Sequence, residues 1–443
     1  MNHCVTLDKE KCKGCTTCIR QCPTEAIRVR RGKAKIISER CIDCGRCVLA
    51  CPYHAKRAVC DPLSMMERFA YTVALPAPSL YGQFRNLDDI GIVLGGLLEM
   101  GFNGVYEVAR AAEEMSAHAL VKHGIARKGT GYGERTFPAN SEIFPLISTA
   151  CPACVRLICQ RFPRLIPHLA PEIAPVELAA LAARAEASRK TGLPPGRIGV
   201  FFITPCPAKM TAAHFPLGLS EPVLDGAFSM AEIYVKLLPA MKRAAQNGAA
   251  FQTAGLTGVG WAVSSGESAA LKSMKTIAAD EIPNVIAVLE AIEDGKLPEV
   301  GFVELNACTQ GCVGGCLTVE NPYVSKMRIR ELMKKLPDTL LSRLRYEEPG
   351  TPPTRDLPLE YEPADVLDSD MSAAIEKRRR MEALLDRLPG LDCASCGAPS
   401  CHALAEDVVR GYAQEADCVF LTRESMDEGG YLPPPFRPSV SKC

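Results

Sequence analysis

Apolar positions along the middle of the chain follow two alternating patterns. Short, nearly unbroken apolar runs have the length and composition of buried strands: "YTVALP", "GVYEVA", "FPLIST", "RIGVFFIT" and "GFVELN". Between them, "LDDIGIVLGGLLEMG", "APVELAALAARAEASRKTG" and "MAEIYVKLLPAMKRAAQNG" show helical spacing and close on Gly. Alternation of this kind from about residue 67 to 340 predicts an α/β fold with mainly parallel sheet. The pattern then breaks. Residues 347–370, "EEPGTPPTRDLPLEYEPADVLDSD", are Pro-rich and polar and read as an extended linker. "MSAAIEKRRRMEALLDRLPG" (371–390) reads as one amphipathic helix stopped by Pro389-Gly390, with the charge run 376–380 as its solvated face.

Composition narrows the function. The 443 residues carry 51 basic and 51 acidic side chains, so no basic footprint for nucleic acid exists. No apolar run reaches about 18 residues, so no membrane span is expected. The N-terminus lacks an apolar signal region, and a cytoplasmic location is the expectation. The 22 cysteines change the picture most. In a reducing compartment such a number means metal or redox chemistry rather than disulfides.

Cys12, Cys15, Cys18 and Cys22-Pro23 are followed by Cys41, Cys44, Cys47 and Cys51-Pro52 at the same spacings. This is the two-cluster bacterial ferredoxin pattern, in which three cysteines on one tight loop hold three corners of a cube and the fourth comes from the other run. The expected sets are Cys12, Cys15, Cys18 and Cys51 for one 4Fe–4S cluster, and Cys41, Cys44, Cys47 and Cys22 for the second. Paired zinc knuckles are the rival reading of the same thiols. Near the other end, Cys393, Cys396, Cys401 and Cys418 provide four more thiolates. "SCHALAEDVVRGYAQ" reads as a helix that returns Cys418 to the loop. Spacing alone also permits zinc there. The run resembles the small 4Fe–4S domain of anaerobic redox subunits, corrinoid iron–sulfur proteins and ion-pumping ferredoxin oxidoreductases, which implies a fourth cube.

The remaining cysteines fall where strands end. "FPLIST" runs into Cys151, "RIGVFFIT" into Cys206, and "GFVELN" into Cys308 and Cys312. Strand carboxyl ends converge on a crevice in open α/β sheets, so these four thiolates can meet around one cube. The loops "STACPACV", "TPCPAKM" and "ELNACTQGCVGG" resemble the three signatures of the iron–iron (FeFe) hydrogenases, over roughly residues 1 to 345. The resemblance implies a 4Fe–4S cube on Cys151, Cys206, Cys308 and Cys312. It also implies a two-iron unit with CO, cyanide and a dithiolate, bridged by Cys312, and Lys209 on a cyanide. Pro152, Ala153 and the Gly311–Gly315 backbone would approach closely. Several positions depart from the family: Ala150 stands where active members have a proton-relaying cysteine, Ala212 where a Glu is usual, Asn306 for a Met, and Cys154 for an aromatic. The proton path therefore reads as dismantled while the metal ligands are kept, which is similar to divergent, sensory members from anaerobes.

The expected architecture is an α/β hydrogenase catalytic-type domain flanked by a ferredoxin-like two-cluster domain and a small α-helical 4Fe–4S domain. Expected bounds are 1–66, 67–345, a linker at 346–370, the C-terminal cluster domain at 371–425 and a tail at 426–443. The resemblance implies hydrogen and protons as substrates, electron exchange with a ferredoxin or other redox protein, a possible signalling partner, and low hydrogenase activity. The rival expectation is an electron-transfer protein with no two-iron unit. Cys159 reads as a core thiol. Glu113-Glu114 reads as an exposed helix edge, or else as a remnant of a proton path. Glu267 is expected in the first turn of a helix that borders the two-iron pocket.

Overall fold

A computed structural model describes residues 3–122, 126–127, 131–132, 144–247, 251, 254–271, 274–340 and 351–427. Cys443 and the tail from 428 onward lie outside the described residues, as do linker positions 347–350. Contacts divide the chain into two units: residues 1–41, 45–59 and 362–443 form one, and residues 42–44 and 60–361 the other.

The first unit joins the two ends of the sequence. Its antiparallel pairs are β1 (Val5–Leu7) with β4 (Lys56–Ala58), and β2 (Ile27–Arg30) with β3 (Lys33–Ile36). Val5, Ile19, Ile27 and Ala55 are buried with Cys12, Cys18, Cys47 and Cys51. The C-terminal part adds helix Met371–Leu385, which starts at an Asp370 cap, and helix Cys401–Val409, which starts at a Ser400 cap. Met381 and Leu384 of the first, with Leu388 just after it, pack with Ala403, Leu404 and Val409 of the second.

Two carboxylates on helix Cys401–Val409 tie these parts together. Asp407 Oδ2 accepts from Arg28 Nε at 2.7 Å and Arg30 Nη2 at 2.6 Å. Glu406 accepts from Arg40 and Arg410. Burial alone would push the Glu406 carboxyl up, but the two guanidiniums outweigh it and hold its pKa below the usual range.

The second unit contains two parallel sheets. β5 (Tyr71–Pro76) pairs with β6 (Gly104–Val105). A short antiparallel pair, β7 (Ala126–Arg127) and β8 (Gly131–Tyr132), comes next in the chain, followed by β9 (Leu146–Ile147). β10 (Ile198–Thr204) lies between β5 and β11 (Gly226–Ser229), giving the order β11-β10-β5-β6. β12 (Thr276–Asp280) and β13 (Phe302–Asn306) complete the second sheet, in the order β12-β13-β9. All seven residues of β10 are buried, as a central parallel strand requires.

The five strand readings lie on these ladders, but two shrink. "GVYEVA" supplies only two strand residues before helix Val108–Lys122 begins, and "FPLIST" only Leu146–Ile147. The helical readings correspond to Gly91–Glu99, Pro175–Thr191 and Met230–Asn247; the second ends on Gly192 at φ 72°. Among the described residues of the Pro-rich stretch, 351–370, no helix forms, and the 353–357 part is held in the second unit. Arg355 donates to the Ala170 and Glu172 carbonyls, and Asp356 accepts from Ser220.

Arg28 and Asp407 are both nearly inaccessible, with side chains 6% and 4% exposed. Asp407→Ala leaves the Arg28 charge buried and should cost about 3–5 kcal/mol. Denaturant-dependent proteolysis should show the first unit opening at lower urea, with the second unit unchanged.

Candidate metal centres

The central loops use one local device twice. Cys151 is the N-cap of helix Pro152–Arg161, and Cys206 is the N-cap of helix Pro207–His214. In each Cys-Pro pair the proline fills the first helical position, where its missing N–H costs nothing. The thiol is left at the positive end of the helix dipole, which favours a thiolate. β9 and β13 of one sheet and β10 of the other carry the three loops, so the convergence uses two sheets rather than one.

The third loop closes tightly. Gly311 has φ 87°, and a Cβ there would lie 2.4 Å from the Ser264 nitrogen. The Gln310 carbonyl accepts from Ser264 N at 2.9 Å, and Cys312 starts the short turn Cys312–Gly314. Only glycine allows this approach.

The four thiols act on one another. Cys308 is raised well above its ordinary value by burial first, then by Cys206, Cys151 and Cys312. Cys206 is pushed up to about 12, also by burial first, although Lys209 opposes it. Cys151 is brought down to about 6, chiefly by a hydrogen bond from the Cys154 thiol. Burial would lower the Lys209 ammonium, yet Cys312, Cys206 and Cys151 outweigh it and raise it. Lys209 Nζ donates to Cys312 Sγ at 3.3 Å. All four are free thiols. Four free thiols with mutual repulsion and one fixed cation form a donor set that suits an iron–sulfur cube with a further acidic group beside Cys312.

Two carboxyls lie at the same site, Glu304 buried and Glu267 half-buried. Glu267 is pushed up to about 8 by burial and by the neighbouring Glu304; Ser148 donates to it, and Lys209 draws it back down. Glu304 accepts from Ser265 N at 3.0 Å, Ser268 N at 2.9 Å and Asn306 Nδ2 at 2.9 Å. Glu267 also lines a pocket with Ser116, His118, Lys122 and Glu172. Sequence reasoning placed Glu267 in a helix turn at the pocket edge but assigned it no proton. Its raised pKa depends in part on Glu304, 37 positions away in the chain, and no local pattern reports that. Glu113 is buried and accepts from Thr339, so it does not sit on an exposed helix edge.

In the first unit, the Cys18 thiol is raised by burial and then by Cys12, Cys15 and Cys51. These four cysteines line one small cavity. Cys47 is pushed up to about 12 by burial and then by Cys22. Cys44 belongs to the second unit, where its thiol raises that of Cys154. Asp43 beside it is buried there, accepting from Thr211 at 2.7 Å and Arg156 at 3.5 Å. The C-terminal thiols also gather: Cys396 is raised by burial and then, after opposing effects, by Cys393 and Cys418. Cys401 starts its helix, its N–H held by Asp392 at 2.6 Å. Pro152, Ala153, Cys154 and Cys159 are buried, Cys159 within the core.

Family comparisons agree with this layout. Residues 70–234 match the model of the iron only hydrogenase large subunit, C-terminal domain. Residues 4–52 match a 4Fe-4S dicluster domain, and residues 388–420 an Fe-S cluster model. The chain is a hydrogenase-like iron–sulfur protein. The match to the iron only hydrogenases is confined to residues 70–234 of its central domain. Among solved structures, an FeFe-hydrogenase studied for oxygen damage to its H-cluster 2Fe subcluster aligns at 16% identity, over 68% of this chain and 96% of that one, with a TM-score of 0.45. A variant of the FeFe-hydrogenase HydA1 from Chlamydomonas reinhardtii aligns at 16% identity, over 68% and 97%, with a TM-score of 0.44. No curated protein matches. Among the described residues, no helix is long and apolar enough to cross a membrane.

The sequence assigns sixteen cysteines to four cubes, so protein reconstituted without maturation factors should bind about 16 iron atoms and little zinc. Gly311→Ala should lose about four of them while the other sites keep theirs, because the added Cβ displaces the Cys312 turn. Iron analysis checks both numbers.

Proposed function

We propose that the protein binds hydrogen at a two-iron unit joined through Cys312 to a cube on Cys151, Cys206, Cys308 and Cys312. Electrons pass between this site and accessory 4Fe–4S clusters, and the low turnover suits sensing rather than flux. The observation that carries this reading is the Lys209 ammonium on Cys312 Sγ, with two further thiols, Cys206 and Cys151, close enough to raise it. A plain electron-transfer cube needs no buried cation beside one of its ligands. A two-iron unit with anionic cyanides supplies hydrogen chemistry when bound, and a compact ammonium is a suitable donor to such a ligand.

The remaining residues hold charge and protons. Lys209 stays charged at neutral pH, because its raised pKa makes it an anchor rather than a shuttle. Ala150 cannot relay a proton. Glu267 holds one at neutrality, close to Lys209, with Ser148 donating to its carboxylate and Glu304 keeping its ionised form unfavourable. Its cavity, with His118 and Glu172, offers the proton a way toward other titratable groups. The path is rerouted through carboxyls rather than fully lost.

In matured protein, Cys312→Ala should abolish the CO and cyanide infrared bands and leave the ferredoxin-type spectra intact. Native protein that lacks those bands after maturation would establish the rival, a cube without hydrogen chemistry.

Proton delivery by a positioned group is worth about 10²–10⁴-fold. Glu267→Gln should therefore slow hydrogen evolution by that order without changing the infrared bands. Native evolution should fall as pH rises through about 8, where Glu267 gives up its proton. Native turnover should lie toward or below the low end of the usual range of about 1–10³ s⁻¹.

A further inference from the structure

The C-terminal cysteine loop does not hang free of the ferredoxin-type module. Val29 N donates to the Gly397 carbonyl at 2.8 Å. Gly397 has φ 80°, and a Cβ there would lie 2.0 Å from the Val29 carbonyl oxygen. Val29 also lines the cavity formed by Cys12, Cys15, Cys18 and Cys51. A single residue therefore touches that cavity and the residue that follows Cys396. Three further contacts fix the loop. Arg30 Nη1 donates to the Cys396 carbonyl at 2.9 Å, and Arg20 Nη2 to the Cys393 carbonyl at 3.0 Å. Ala394, between the first two C-terminal cysteines, is buried in the same core as Cys12 and Cys18. The Asp407 and Glu406 clamps act from the helix that Cys401 starts.

A buried and costly set of ion pairs that served only to hold two small domains together would not have to bring the two cysteine loops together. Here the loops themselves are what meet. Electron tunnelling falls steeply with distance and is favoured along covalent and hydrogen bonds. The route from Cys396 through Gly397 and its hydrogen bond to Val29 is short and largely bonded.

We propose that the C-terminal cluster exchanges electrons directly with the cluster on Cys12, Cys15, Cys18 and Cys51 through the Gly397–Val29 contact. The step rests on the cluster reading given above. One electron leaves one cube, which is oxidised by one unit, and reduces the other by one unit. No bond forms or breaks and no proton moves. Arg20, Arg30 and Gly397 are positioning residues for this transfer.

The test is electron paramagnetic resonance, at two frequencies, on the full chain loaded with iron and sulfide and reduced by dithionite. Two reduced cubes this close split each other's signals. The native spectrum should contain a frequency-independent splitting that is lost in Gly397→Ala, with iron content unchanged. Coupling within the ferredoxin-type pair remains in both proteins, so the difference isolates the C-terminal contribution. Arg30→Gln, at a half-buried position, should weaken the same splitting should Gly397→Ala fail to fold. Native, Gly397→Ala and Arg30→Gln spectra that coincide, at full iron content, overturn the proposal alone. Iron about four atoms short with one zinc bound overturns it together with the C-terminal cluster reading.

Discussion

Gathering thiolates is the constraint on which the structure depends. Burial and neighbouring thiols raise Cys308 and Cys206, so a protein that collects thiols must offset both desolvation and mutual repulsion. The central unit does so with fixed dipoles and one fixed cation. Cys151 and Cys206 cap helices, Cys154 donates to Cys151, and Lys209 donates to Cys312. Two parallel sheets hold the loops that carry these groups, and the close approach at Gly311 sets the position of Cys312. A metal cluster completes the neutralisation, which is why so many polar and ionisable groups can share one apolar interior.

A similar logic holds the first unit together. Three arginines of the ferredoxin-type segment meet two carboxylates of helix Cys401–Val409. Such buried pairs add less to net stability than they do to uniqueness of geometry, because desolvation offsets most of the attraction. Their structural effect is to fix one cysteine loop against another. Electron transfer needs that kind of fixed separation, and a flexible tether would not supply it.

Much of this was legible in the sequence, because metal ligation demands fixed spacing on short loops. The ferredoxin-type runs, the C-terminal run and the three strand-end loops could be read directly, whereas Lys209 entered only through the family resemblance. The gathering of Cys51 with Cys12, Cys15 and Cys18 is what the exchange of the fourth ligand requires. Long-range properties were not legible. β11 ("GAFS") and β12 ("TIAAD") are short and poor in β-branched residues, so tertiary pairing rather than propensity makes them strands. Glu267 and Glu304 look like ordinary acidic positions until the fold brings them together. Asp407 and Glu406 look like the polar face of an amphipathic helix, and only their distant arginines show otherwise. Glu113 was misread for the same reason, since burial by Thr339 comes from a segment 226 positions away.

The central claim is that hydrogen meets this site and that its electrons reach the accessory clusters. The most direct measurement exposes oxidised, fully matured protein to hydrogen gas, with no other reductant, and follows the accessory clusters by paramagnetic resonance at low temperature. The account predicts reduced-cluster signals that develop under hydrogen and decline when the gas is removed. A protein that retains its CO and cyanide bands, yet shows no reduction of any accessory cluster under hydrogen, would contradict it.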